Sequence, residues 1–143
     1  MIIKQLSIFV ENKQGRLAYI TEILTKAGAN IRALSIADTT DFGILRLIVD
    51  DEETAQKVLA QEGYLIKITD VVGVKIGDAP GKLSEALHII ADNNINIDYL
   101  YAFMARTEKH AYVVIRVEDN EGAEKALEDA GFHIITNADI NKL

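Results

Sequence analysis

The chain has 143 residues, 49 % hydrophobic and 26 % charged, with no cysteine, one proline and a formal net charge of −7. That balance belongs to a globular protein, and it excludes a disulfide framework, thiolate metal ligands and a cysteine nucleophile. A pI near 4.9 leaves no cationic footprint for nucleic acid or an anionic membrane, and no apolar run reaches the ~18 residues of a membrane span.

The first predicted element is a strand over Ile2–Val10, apolar and β-branched with partial alternation. Gly15 opens a helix whose Leu17, Ile20, Ile23, Leu24 and Ala27 recur at helical spacing, and Gly28 suits the left-handed position that ends it. Two strands follow, Ile31–Ala37 and Gly43–Val49, with a hairpin at residues 38–41. Asp50–Glu53 places acids at the start of the next helix, where the macrodipole favours them. That helix buries Ala55, Val58 and Leu59 and stops at Gly63; a last strand is predicted over Leu65–Thr69. From residue 70 the order begins again. A strand at Val71–Ile76 leads to a helix carrying Leu83, Ala86, Leu87 and Ile90, then to strands at Ile97–Met104 and Tyr112–Val117. A helix over Glu121–Ala130 and a strand at His133–Thr136 complete it.

The recurrence is one of residues as well as elements. Asn-Lys-Gln-Gly-Arg-Leu at 12–17 returns as Asp-Ala-Pro-Gly-Lys-Leu at 78–83, 66 positions on. Ile23 and Ile89, and Leu34 and Leu100, keep that offset; Val49 and Val117, Leu59 and Leu127, and Gly63 and Gly131 are 68 apart. The two extra residues fall between the second and third strands, where an exposed turn accommodates them. The expected organisation is therefore two tandem units, 1–69 and 70–143, the second with a short C-terminal tail. Each reads β-α-β-β-α-β, an α+β ferredoxin-like arrangement of an antiparallel sheet with both helices on one face. Neither unit is cationic: eight basic against ten acidic residues give −2 for 1–70, and seven against twelve give −5 for 71–143.

The turn from first strand to first helix carries the most chemistry. Glycine at 15 and 81 lets the chain turn sharply and lets a ligand approach the backbone. The helix that starts there presents unpaired N–H groups at its positive end, a site fit for a carboxylate. The Asn12 amide both donates and accepts, and the Asp78 carboxylate accepts from an ammonium group. A free amino acid carries both charges. Asn and Asp in this position also serve as plain turn or N-cap residues, and that reading stands beside the first.

Asn-x-x-Gly-x-Leu at 12–17 and Asp-x-Pro-Gly-x-Leu at 78–83, each followed after the helix by Asn-Ile, resemble the ACT domain. The resemblance covers residues 1–136 as two copies. The first copy departs from the family loop at Asn12 and Gln14, where an acid and a proline are usual. The resemblance implies a non-catalytic regulatory domain that works in pairs and binds a free amino acid or similar small effector near this loop, between neighbouring domains. Residue by residue it points to Asn12, Gly15, Arg16 and Leu17, and to Asp78, Gly81, Lys82 and Leu83. Asn30 and Ile31, and Asn96 and Ile97, are expected beside them at the start of the second strand. It implies no catalytic residue, metal or cofactor, no nucleic acid or membrane partner, a homodimer, and room for a partner enzyme. The opening residues 1–6 lack the long apolar core of a signal peptide, so a cytoplasmic protein is expected.

Tyr99, Tyr101 and Phe103 recur at period two on one face of a strand, opposite Leu100, Ala102 and Met104. If the second set faces the helices, the aromatics lie on the open sheet face, buried within the chain's own fold or against a second chain. His88, His110 and His133 have no metal-ligand spacing and read as surface or half-buried residues. Two other functions compete. An acyl-phosphate hydrolase on this fold would use Arg16 as a cradle and Asn12 to position water, but the second copy changes both. An RNA-recognition sheet would rest on the three aromatics alone, which lie on the second strand and not the first and third.

Overall fold

A computed structural model describes residues 2–38, 41–104 and 110–143, without the side chain of Asp38. The chain divides into two compact units, Lys4–Thr69 and Asp70–Leu143, with Ile2 and Ile3 belonging to the second. In the first, β1 (Ile3–Glu11), α1 (Arg16–Lys26), β2 (Ile31–Asp38), β3 (Phe42–Val49) and α2 (Glu52–Gln61) precede β4 (Leu65–Gly77). The strand order is β2-β3-β1-β4, antiparallel between β1 and β3 and between β2 and β3. In the second, β4 leads to α3 (Lys82–Asp92), β5 (Ile97–Ala102), β6 (His110–Val117), α4 (Asn120–Asp129) and β7 (His133–Ile134). The order is β5-β6-β4, with β7 on the other edge of β4. Both units are the ferredoxin-like βαββαβ arrangement.

Period-two burial builds each core. Leu6, Ile8 and Val10 of β1 and Leu45, Leu47 and Val49 of β3 meet Ile20 and Leu24 of α1 and Ala55 and Leu59 of α2. Val72, Val74 and Ile76, with Val113, Ile115 and Val117, meet Ala86 and Ile90 of α3 and Ala123 and Leu127 of α4. Each large side chain so buried contributes about 1.5–3 kcal/mol. The registers are equivalent, Val10 opposite Gly43 and Ile76 opposite Ala111, as the two offsets require.

Three local readings change. Leu65–Thr69 and Val71–Ile76 are one thirteen-residue strand, which runs straight through Asp70. The C-terminal tail contains a short helix, α5 (Asn137–Ile140), started by a reciprocal capping box between Thr136 and Asp139. Leu17 and Leu83 share the helical apolar stripe, yet they are 43 % and 37 % exposed, because the first turn of each helix stands beyond the core. The hairpin residues Thr39 and Thr40 lie outside the described residues, as do 105–109 in the second copy.

Tyr101 pairs with Val114, which is outside the helix-side core, whereas Leu100 pairs with Ile115, which is in it. The aromatic side of β5 is therefore the face away from the helices. Tyr101 and Phe103 are 8 % and 7 % exposed there, buried within the chain. Tyr99 stacks on Tyr101 at 6.4 Å. Rings so buried are not a platform for RNA bases. No described helix is long and apolar enough to cross a membrane.

Candidate functional site

Gly15 and Gly81 sit at φ 83° and 89°, each as the N-cap of the first helix of its unit. Nothing lies within 4 Å of an added Cβ, so the left-handed angle, not space, asks for glycine here. Neither helix has a side-chain cap, which sets aside the N-cap reading of Asn12 and Asp78. The amides of Arg16 and Lys82 bond back to Lys13 and Ala79, and the helical ladder starts at Tyr19 and Glu85. The amides of Leu17 and Ala18, and of Leu83 and Ser84, have no backbone partner among the described residues. Each loop thus ends in two open N–H groups at the positive end of a helix. The Asn12 N–H donates to the carbonyl of Asp41 at 2.9 Å, tying the first loop to the start of β3.

Asn12, Gly15 and Leu17 are exposed around one loop with half-buried Arg16; Asp78, Gly81, Lys82 and Leu83 are exposed around the other. Within a unit the structure does not bring Asn30 and Ile31 to the loop. The Asn30 N–H donates to Asp50 Oδ1 at 2.9 Å, and Ile31 pairs with Val49, at the far end of α1. Eleven helical residues separate the two places by about 16 Å. Asn96 and Ile97 are placed likewise, with Ile97 opposite Val117.

Beside each loop lies a cleft that the sequence reading did not single out. The first, of about 470 Å³, is bounded by the end of β1, the start of α1, the start of β3 and the turn from α2 to β4. Phe9 and Phe42 stack across it at 5.0 Å. Tyr19 Oη donates to Glu62 Oε2 at 2.8 Å, and this bond raises the phenol's pKa. Tyr64 is the fourth aromatic side chain of the lining, and its buried hydroxyl has no hydrogen-bond partner. Arg16 supplies a guanidinium, and Glu11 a carboxylate held below its usual range by the Lys13 ammonium at 2.8 Å.

The second cleft, of about 370 Å³, occupies the equivalent positions. Lys82 stands for Arg16, but Lys75 replaces Phe9, His110 replaces Phe42 and His133 replaces Leu65. The acids Glu11 and Glu62 become Gly77 and Ala130, and Tyr19 becomes Glu85. A Cβ on Gly77 would stand 3.2 Å from Lys82 Cγ, so the bare backbone leaves the lysine stem its place. His133 Nε2 lies 3.3 Å from Asp139 Oδ2, whose carboxyl is held low chiefly by the Thr136 N–H. The available signal was in the repeat itself: three apolar positions of the first copy carry basic side chains in the second. Among the described residues no group of three or more His, Asp or Glu could hold a metal.

The family model that matches describes an ACT domain pair, over residues 1–143. The chain is similar to a protein of Bacteroides thetaiotaomicron of known structure, at 39 % identity and a TM-score of 0.93, covering 100 % of this chain and 98 % of that one. It is also similar to the regulatory subunit of aspartate kinase from Thermus thermophilus in its ligand-free form, at 17 % identity and a TM-score of 0.65, over 91 % and 93 % of the two chains. The corresponding subunit from Thermus flavus matches at 20 % identity and a TM-score of 0.58, over 89 % and 91 %. Among curated proteins, none matches the chain.

Proposed function

Because the chain belongs to the ACT domain pair family, we propose that it is a cytoplasmic regulatory protein that senses a free amino acid, with 1–69 and 70–143 as the two domains. The observation that carries this reading is the duplicated glycine hinge. At Gly15 and Gly81 two open amides face outward at the positive end of a helix with no side chain to cap them. A carboxylate fits those amides. Arg16 and Lys82 reinforce it, Asn12 and Asp78 receive the ammonium, and Leu17 and Leu83 offer apolar contact from the first turn.

A helix start contributes about 0.3–2 kcal/mol towards one charge, and micromolar affinity needs about 8 kcal/mol. A second wall is therefore required. β2 and β5 are edge strands in their units, and Leu34, Ile36 and Leu100 on their helix side are 41 %, 45 % and 37 % exposed. Such an edge invites antiparallel pairing with the same edge of a second copy. In that homodimer the loop of one copy meets the start of the second strand of the other. Asn12, Gly15 and Arg16 then face the partner subunit's Asn30 and Ile31, and Asp78, Gly81 and Lys82 face the partner subunit's Asn96 and Ile97. The chain binds and signals, and any catalysis belongs to a partner enzyme. An acyl-phosphate hydrolase would use Asn12 and Arg16, which the second copy replaces by Asp78 and Lys82.

Equilibrium dialysis against the common amino acids, with sedimentation velocity on the same samples, tests this. The expected result is saturable binding of at least one amino acid to a dimer, with affinity and dimer both weakened by Leu34→Asp and Leu100→Asp together. Undiminished binding to a monomer would overturn the shared site, and no binding of any amino acid would overturn the reading itself.

A further inference from the structure

We propose that the second cleft, lined by Lys75, Lys82, His110 and His133, binds a small phosphate monoester. Position by position, its lining departs from that of the first cleft, although the backbone frame is the same. Three apolar side chains there have basic counterparts here, and two acids there have neutral ones. One acid is gained, Glu85, with its carboxylate 3.5 Å from Lys82 Nζ. The lining therefore holds two ammonium groups and two imidazoles against one carboxylate, in a unit whose formal charge is −5 over residues 71–143. Five of these six changes move the lining towards positive charge, against the acidic balance of the unit.

The residue types select the class of anion. A guanidinium forks onto a planar carboxylate, as Arg16 is shaped to do in the first cleft. Lysine is a point charge on a flexible stem and suits a tetrahedral oxyanion, with imidazole N–H groups completing the donor set around it. The groups facing the two imidazoles are Lys75, Lys82, Glu85 and Asp139, the last through its 3.3 Å contact with His133. The cleft, of about 370 Å³, has room for a small organic group beside the phosphate. The site shares Lys82 with the amino-acid reading, but Lys75, His110 and His133 belong to the cleft alone, so a test on those three separates the two.

The three histidines supply an internal control. His110 and His133 line the cleft, whereas His88 lies on α3, with Nδ1 2.8 Å from the Ser84 carbonyl oxygen. Their ring-proton NMR signals are followed in the full chain while glycerol 3-phosphate or inorganic phosphate is added at constant ionic strength. The expected result is saturable movement of the His110 and His133 signals with His88 stationary, and affinity for glycerol 3-phosphate weakened about tenfold or more by Lys75→Gln. His110→Gln should weaken it in the same direction and provides a second variant if the first fails to fold. Tighter saturation by the monoester supports an organic phosphate; tighter saturation by inorganic phosphate overturns that class in favour of the free ion. Equal movement of all three histidines, no saturation, or affinity unchanged in both variants would overturn the site.

Discussion

The two clefts have one frame and two chemistries. In the first, Phe9 stacks on Phe42 above a guanidinium and two carboxylates; in the second, Lys75 and His110 stand at the same places and both carboxylates are gone. Meanwhile the buried positions beneath stay apolar: Ile20 and Ala86, Leu24 and Ile90, Leu59 and Leu127 all face a sheet of alternating aliphatics. The frame is set by side chains that water never reaches, and the lining by side chains that it does. A repeat can therefore keep its fold while its two copies come to suit different ligands.

The largest expected effect tests the shared frame. Leu59→Ala and Leu127→Ala, at fully buried equivalent positions, should each cost about 2–5 kcal/mol in urea unfolding; a large effect in one unit alone would break the equivalence. Next comes a position where the copies differ inside. Ser7 accepts from Gln5 Nε2 at 2.9 Å and lies 3.1 Å from Thr69 Oγ1. Its counterpart Gly73 has no room: a Cβ there would stand 2.5 Å from Ile3 Cδ1 and 3.2 Å from Ile135 Cβ. Gly73→Ser should cost about 1–3 kcal/mol by overpacking, and an unchanged midpoint would show that this part of the second unit gives way freely.

Smaller effects belong to the helix caps. Asp51 accepts from the Thr54 N–H at 3.1 Å and Asp119 from the Gly122 N–H at 3.0 Å. Either residue replaced by alanine should cost about 0.5–2 kcal/mol in thermal unfolding. The smallest effect is on pH dependence. The Thr54 hydroxyl, then its amide, hold the Asp51 carboxyl below the usual range. Its contribution is complete above the ordinary aspartate pKa of about 3.9 and is lost as pH falls through the lowered folded value. The gap between wild type and Asp51→Ala should narrow as pH falls below the ordinary aspartate range; a gap that widens would contradict the sign.

Much of this was legible in the chain. The offsets of 66 and 68 predict the matched registers, and Gly28 marks a left-handed helix end whose counterpart, Asn94, adopts φ 60°. The glycine loops also stand out, because a sharp turn into a helix leaves a local pattern. The clefts do not. Lys75, His110 and His133 are brought together only by the pairing of β4 with β6 and β7, and no local spacing records that. Leu17 and Leu83 fit a helical stripe, but periodicity does not say where the facing sheet ends. Thr136 and Asp139, three residues apart, did carry the pattern of a capping box, and α5 could have been found from it.

The central claim is that the two glycine-hinged loops receive an amino acid, and thermal unfolding with and without effector tests it most directly. At 100 times its Kd an amino acid adds about 2.7 kcal/mol, which for a chain of this length raises Tm by roughly 5–10 °C. A Cβ at Gly15 or Gly81 has nothing within 4 Å, so Gly15→Val with Gly81→Val should fold, at a cost of about 1–3 kcal/mol per residue strained at positive φ, while abolishing the rise. A double variant that folds and still shows the full rise in Tm would contradict the account.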